Sequence, residues 1–353
     1  MEDLYNRFKL LKHLDRLVAW RNGDVPFTIF ADFDISNRCN NQCPKCVSSL
    51  LYDNCDKTIV KLEDAKRVIS QLKDIGGKAI TFAGGGDPAC NPHLEEIIRH
   101  ANHGMDVAMY TNGLGLNGRM IEAIVDCCTW MRISFDADGP EMYRKTHGMN
   151  KKAFERVLSN IEHIVKAKKE TGSELVIGLT YLLGPHTIDG IYNAAKFSKE
   201  LGVDYIRFRP FFMWEDEKRG MKYKKEEGNR IIEEVKRSME LSNKTFEVSC
   251  DLSRCASTIE KKARVFDKCY LPNFVVSITA DLNVYPCCVY KNNKEYCMGD
   301  LKQNSLKEVI LSERAKNISE AINISDCPNP CMLQNHVELL WAVRQPIKHQ
   351  NFL

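Results

Sequence analysis

The segment FTIFADFDISNRCNNQCPKC, residues 27–46, decides how the chain is read. Its first half, 27–36, is a β-rich apolar run that ends just before Cys39. Its second half places Cys39, Cys43 and Cys46 within eight residues, with no fourth cysteine close behind. A strand that delivers three thiols to its C-terminal end puts chemistry at one rim of a sheet.

Working outward, the same pattern repeats. LEDAKRVISQLKDIG (62–76) has helical periodicity and ends in glycine, and KAITFAGGG (78–86) is a strand running into glycines. Helical patterns at 93–104, 117–128, 152–172 and 191–202 alternate with strand patterns at 105–113, 130–138, 174–183 and 203–212. Six strands alternating with helices predict βαβ units and a parallel sheet, doubly wound or curled into a partial barrel. Ligands of either architecture collect at the C-terminal strand ends. Cys39 to Cys46, Gly84 to Asp87, the TNG at 111–113 that contains Asn112, and Asp136 all lie there. The alternation stops near residue 215, and a charged helical segment (222–241) leads to a cysteine-rich tail. The expected division is an N-terminal helix (1–26), an α/β domain (27–244) and a tail domain (245–353).

At 353 residues the chain can bury a large core, and its net charge of +3 gives no basic stripe for nucleic acid. The N-terminal stretch is charged throughout, so it is not a signal peptide. Leu4, Phe8, Leu11 and Val18 recur there at helical spacing, which predicts core packing or a lid on the main domain, with a membrane-surface helix as the lesser alternative. No run is long enough to span a bilayer, and a cytoplasmic location is expected. Fifteen cysteines in a reducing compartment point to metal where they cluster. Scattered ones such as Cys55, Cys127 and Cys250 are expected to be small buried hydrophobes.

Spacings of three and two residues in one loop fit a structural zinc site poorly, because zinc takes four ligands, often in paired knuckles. A cubane iron–sulfur cluster accepts the loop, and three thiolates leave one iron open to substrate or cofactor. Zinc, or an electron-transfer cluster whose fourth ligand comes from the tail, remains the non-catalytic alternative. The glycine run after the second strand allows close backbone approach to a ligand on the same rim.

Together, CxxxCxxC after the first strand, the glycine loop after the second and the (β/α)6 alternation resemble the radical S-adenosylmethionine enzymes over residues 27–212. The resemblance implies a partial TIM-like barrel with a 4Fe-4S cluster on Cys39, Cys43 and Cys46. S-adenosylmethionine would then chelate the open iron, with Gly84, Gly85, Gly86 and Asp87 on its methionine side. Ser134 and Asp136 stand where such enzymes often bind ribose or carboxylate. Lys45 replaces an aromatic residue usual before the third cysteine, and Asp87 replaces a usual glutamate. The implied chemistry is one-electron cleavage of the sulfur–C5′ bond, giving a 5′-deoxyadenosyl radical that abstracts hydrogen from unactivated carbon. A donor such as flavodoxin or ferredoxin would supply the electron.

The tail resembles the twitch or SPASM extensions of these enzymes. FVVSITA and NVYPCC flank a turn at Asp281 to Asn283, a predicted hairpin. Cys269, Cys287, Cys327 and Cys331 suit one auxiliary cluster, Cys288 can replace Cys287, and Cys297 is spare. A zinc ribbon is the alternative. Arg207 and Arg209 share one face of the sixth strand, able to clamp a carboxylate or phosphate or to form an ordinary salt bridge. Tyr181, Tyr205 and Trp214 could line a pocket or simply pack. Only about two dozen residues precede the first strand, too few for a leader-peptide module. That favours a small polar substrate of sugar, aminocyclitol or nucleoside type over a peptide. Oxidation, epimerisation and elimination are all open. Epimerisation would need a thiol hydrogen donor, for which Cys90, Cys288 and Cys297 are candidates.

Overall fold

The computed structural model describes residues 6–24, 28–46, 48, 57–210, 224–252, 255, 264–329, 331–346 and 348. Leu4, Cys55 and Trp214, named above, lie outside them.

Six βα turns form as the periodicity requires. β1 (Phe30–Asp34) is followed by α1 (Leu62–Asp74), whose Ala65, Val68, Ile69 and Leu72 form one buried stripe at helical spacing. Gly76 then reverses the chain at φ +83°, in the left-handed region open to glycine. β2 (Ala79–Ala83), α2 (Leu94–Asn102), β3 (Asp106–Thr111), α3 (Gly118–Cys127) and β4 (Trp130–Ser134) follow. Next come α4 (Pro140–His147), α5 (Lys151–Thr171), β5 (Val176–Leu183), α6 (Ile191–Glu200) and β6 (Tyr205–Pro210). Asn117 and Asn150 cap α3 and α5 by accepting the Met120 and Ala153 amides. The short α4 has proline in its first turn and left-handed Gly148 as its stop, signals too brief for a periodicity reading.

One ten-stranded sheet results, open at both edges, a partial TIM-like barrel. Strands β1 to β6 pair in parallel and in chain order. α7 (Lys225–Met239) leads to a seventh parallel strand, β7 (Glu247–Cys250), on the β6 edge. The alternation therefore runs one unit past residue 215. β7 is four residues of mixed polarity, with no apolar run to announce it.

On the other edge the tail hairpin joins the same sheet. β8 (Val275–Ile278) pairs in parallel with β1, β9 (Asn283–Tyr285) in antiparallel with β8, and β10 (Gly299–Asp300) with β9. Its turn holds Leu282 at φ +69°, and the Asp281 carboxylate accepts from Thr279 and Asn283.

The N-terminal expectation needs correcting. Phe8, Leu11 and Val18 are exposed, whereas Leu10, Leu17 and Trp20 are buried. A 3-10 segment at Arg7–His13 precedes the α-helix (Leu14–Arg21), so the apolar phase is not that of one continuous α-helix. The buried three pack with Phe266, Leu271, Phe274, Val337 and Leu340 in a second small core. There the C-terminal helix (Gln334–Arg344) meets the N-terminal one, with the Arg344 guanidinium stacked 4.3 Å from the Trp20 ring centre.

Candidate active site

Strand register separates the sheet into two unlike faces. Phe33, Phe82, Met109, Met131, Ile133, Leu179, Ile206 and Phe208 belong to the main hydrophobic core, together with the helices outside the barrel. The opposite face carries Asp32, Asp34, Thr81, Arg132, Ser134, Thr180, Arg207 and Arg209, neighbours in register across β1 to β6. Barrel interiors are ordinarily filled by apolar side chains. A polar one needs water, a ligand or internal pairing. Deep in it Arg132 donates to the Tyr205 hydroxyl at 3.0 Å, and Tyr110, Trp130 and Tyr205 lie about its guanidinium. Gly178 leaves the space that the Tyr205 ring fills.

At the C-terminal end of β1 the cysteine loop is pinned from three sides. The Gln42 amide donates to the His147 carbonyl at 3.1 Å, and the Cys46 amide to the Cys43 carbonyl at 3.3 Å. Gly148 lies so close that a Cβ there would meet the Gln42 carbonyl. His147 donates from Nε2 to the Ser134 carbonyl at 3.1 Å, and burial pushes its pKa down to about 4, so the ring is neutral. Ser134 thus supports the loop through its backbone.

The glycine loop performs a second task. A Cβ on Gly86 would sit 2.0 Å from the Arg38 carbonyl, and one on Gly84 would sit 2.9 Å from that of Ser36. Glycine is needed here so that the β2 loop can lie against the base of the cysteine loop. The Gly86 and Asp87 amides donate to Ser36 and Arg38 at 3.1 and 2.7 Å. Asp87 is buried, and its carboxylate accepts from the Ala89 amide (2.9 Å), the Thr111 hydroxyl (3.0 Å) and the Asn112 amide (2.6 Å). That carboxylate ties the loops of β2 and β3 together, a fuller commitment than the ligand contact expected from sequence. Asn112 extends the tie by donating to Asn40 at 2.7 Å and to the Cys39 sulfur at 3.6 Å. Donation to sulfur stabilises a thiolate.

The cradle fits a cubane cluster. Cys39, Cys43 and Cys46 lie within one another's electrostatic reach, and burial pushes Cys43 up to about 12, so a thiolate there needs cationic iron. Among the described residues no three Cys, His, Asp or Glu side chains converge on a single ion. The Asn41 amide and the Tyr143 hydroxyl are buried in the same cradle without a well-formed hydrogen bond, leaving polar capacity for a ligand.

Asp136, two residues past β4, stands at φ +46°, with its carboxylate accepting from the Leu182 amide at 2.7 Å. Burial raises its pKa to about 7, opposed by the Leu182 amide and by Arg209. Arg209 also reaches the Met332 sulfur at 2.8 Å, next to Cys331. Arg207 donates to Ser249 of β7 at 2.9 Å. Cys90 is raised to about 11 by burial, and Asp87, Cys39, Asn40 and Arg38 surround it, which places it beside the cluster loop. Tyr181 points away from the polar face, donating to the Thr187 carbonyl at 2.8 Å.

In the tail, burial raises Cys269 to about 12 and pushes Cys287 well above its ordinary value; Cys331 acts on both, and Cys327 on Cys269. The four expected cysteines therefore form one electrostatic group, and Tyr290 lies 3.4 Å from the Cys327 sulfur. Cys288 turns towards the barrel, where Asp32, Lys291, Cys331 and Arg209 act on it. Cys297 faces the sheet edge among Gly299, Arg314, Asp281 and Asp300. Of the scattered cysteines, Cys127 is half-buried, and Cys250 lies 3.4 Å from Cys255.

One cluster escaped the sequence reading. Lys291 reaches from the tail to β1, its Nζ 2.7 Å from both Asp32 and Asp34. The available signal was the period-two pair of acids in a strand that must be covered on both faces.

A family model described as the Radical SAM superfamily matches residues 33–208, and one described as an iron-sulfur cluster-binding domain matches residues 269–332. The dTDP-4-amino-4,6-dideoxy-D-glucose ammonia-lyase of Streptomyces venezuelae is 26% identical over 164 residues, covering 43% of this chain and 33% of that protein. A PqqA peptide cyclase of Bradyrhizobium diazoefficiens is 35% identical over 88 residues, covering 25% and 21%. The matched region thus spans a third or less of both curated relatives. Streptococcus suis SuiB, solved with its precursor peptide SuiA, shares the fold at TM-score 0.68 and 15% identity, covering 94% of this chain and 78% of that one. The matched domains bring with them a 4Fe-4S cluster, S-adenosylmethionine and an auxiliary cluster. The chain belongs to the radical S-adenosylmethionine superfamily and carries a C-terminal iron–sulfur cluster-binding domain.

Proposed function

We propose that the chain cleaves S-adenosylmethionine reductively and abstracts a hydrogen atom from a small polar molecule of sugar, aminocyclitol or nucleoside type. The observation that carries this reading is the polar inner face, which opens on the same rim as the three-cysteine loop. When bound, the cluster supplies the electron that releases a 5′-deoxyadenosyl radical. The protein's own part is positioning. Asn112 holds Cys39, Asp87 joins two rim loops, and the Gly84–Gly86 backbone lies against the cysteine loop. Arg209 and Asp136 would orient a polar substrate beneath that rim. Cys288, turned to the same space, is the candidate hydrogen donor should the outcome be epimerisation. Four cysteine ligands on the auxiliary cluster would leave it to take electrons or to brace the tail. The Streptomyces relative, named for an amino-sugar nucleotide, supports the small-substrate reading.

A peptide substrate is the second reading, favoured by the identity to the PqqA peptide cyclase. Anaerobically reconstituted protein, reduced with dithionite and given S-adenosylmethionine, tests both. It should form 5′-deoxyadenosine, and sugars or nucleosides should raise the yield more than peptides. A larger rise with peptides would favour the second reading. No 5′-deoxyadenosine despite a full iron load would leave an electron-transfer protein.

A further inference from the structure

The ion cluster at β1 joins the two cofactor sites. Lys291 stands four residues after Cys287 on a tight turn, where the Tyr290 amide donates to the Cys287 carbonyl at 3.2 Å and the Asn293 amide to that of Tyr290 at 3.1 Å. Its side chain is 5% exposed, that of Asp34 2% and that of Asp32 17%. The Gly85 amide lies near the Asp34 carboxylate and favours its charged form, after burial, Lys291 and Asp32 have acted on it. Gly85 lies between the two glycines whose missing side chains let this loop touch the cysteine loop. A connected path therefore runs from the auxiliary cysteine Cys287, through Lys291 and Asp34, to the middle of the glycine loop.

The path has an electrostatic reason to matter. Asp32 and Asp34 share one strand face, and burial disfavours charge on Asp34 while Lys291 favours it. Without the ammonium, two desolvated carboxylates would face each other, and one must take a proton or turn away. Either change weakens the hold on the Gly85 amide. As a fold stabiliser alone the arrangement is poorly motivated, since apolar replacements of buried ion pairs are often neutral or better. Glycine-rich backbone has many conformations to choose from, and an acceptor fixed from outside the loop selects among them.

We infer that Lys291 is a positioning residue that couples the auxiliary cysteine site to S-adenosylmethionine binding, acting through Asp34 on the Gly85 amide. The inference rests on the reading that the cofactor's methionine end binds at the glycine loop. Coupling of this kind is reciprocal: a filled auxiliary site tightens cofactor binding, and bound cofactor steadies the tail.

The test is anaerobic equilibrium dialysis of labelled S-adenosylmethionine against reconstituted wild type, K291M, C269A/C287A and the combined variant. Iron content and the electron paramagnetic resonance signal of the reduced barrel cluster, with and without the cofactor, are followed in each. K291M and C269A/C287A should each bind about tenfold more weakly while keeping about four barrel irons. The combined variant should bind no more weakly than either parent, because both cut one path. K291R, which keeps a cation, should recover to within about threefold. Wild-type affinity in K291M, or losses that multiply to about a hundredfold in the combined variant, would overturn the inference. Should K291M lose barrel iron, C269A/C287A and K291R carry the test, and unweakened binding in C269A/C287A is then the overturning result. Absence of binding in wild type would instead remove the cofactor reading on which the inference stands.

Discussion

Cys39, Cys43 and Cys46 come from one loop of eight residues, whereas Cys269, Cys287, Cys327 and Cys331 come from three separate stretches of the tail. The first site is held by backbone contacts that glycine permits, with Gly86 against Arg38 and Gly148 against Gln42. The second is brought together by a hairpin joined to the sheet edge and by a small core in which the two chain ends meet. A local site can be read from spacing alone and should survive damage to distant segments. A site gathered from several segments needs the fold before its ligands meet, and should be lost when that packing is lost.

The sharpest way to break this contrast is Cys43→Ala. Removing one of three thiolates from the barrel loop should cut 5′-deoxyadenosine formation at least about a thousandfold while leaving tail iron in place. Gly86→Ala should be nearly as severe, since its Cβ would sit 2.0 Å from the Arg38 carbonyl. Loss of about a hundredfold in the same assay is expected, as for other small displacements of catalytic groups. Asp87→Asn should lower unfolding stability by about 2–3 kcal/mol, read from denaturant midpoints, because an amide nitrogen would then face groups that donate.

In the tail, Cys287→Ala should remove the auxiliary iron but leave detectable 5′-deoxyadenosine formation. A further effect concerns pH. Burial holds His147 at about 4, below its ordinary 6.5, so the unfolded chain binds more protons between those values. Stability should therefore fall as pH drops from 6.5 to 4, by up to about 3 kcal/mol. His147→Gln, which keeps a donor for the Ser134 carbonyl, should flatten that slope in thermal melts.

Half of each strand was legible in advance. Phe33, Ile133 and Phe208 announce a core face, and the helices opposite them carry matching apolar stripes. The other half was read only at Ser134, Arg207 and Arg209, although Asp32, Asp34 and Arg132 follow the same period of two. Their partners explain why. Lys291 stands 257 residues from Asp34, so nothing nearby marks that acid as paired. Asp87 was taken as a ligand contact because its three donors come from a second loop as well as its own. The N-terminal helix misled for a local reason: its first turns are 3-10, and a pattern scored at α-helical spacing lands on the wrong face.

Iron and sulfide content, with Mössbauer spectra, in wild type and in two variants tests the central claim most directly. The variants lack either Cys39, Cys43 and Cys46 or Cys269 and Cys287. About eight irons per chain in wild type and about four in each variant, all as cubane clusters, is the predicted result. Zinc in place of iron, or loss of all iron when only the tail cysteines are removed, would contradict it.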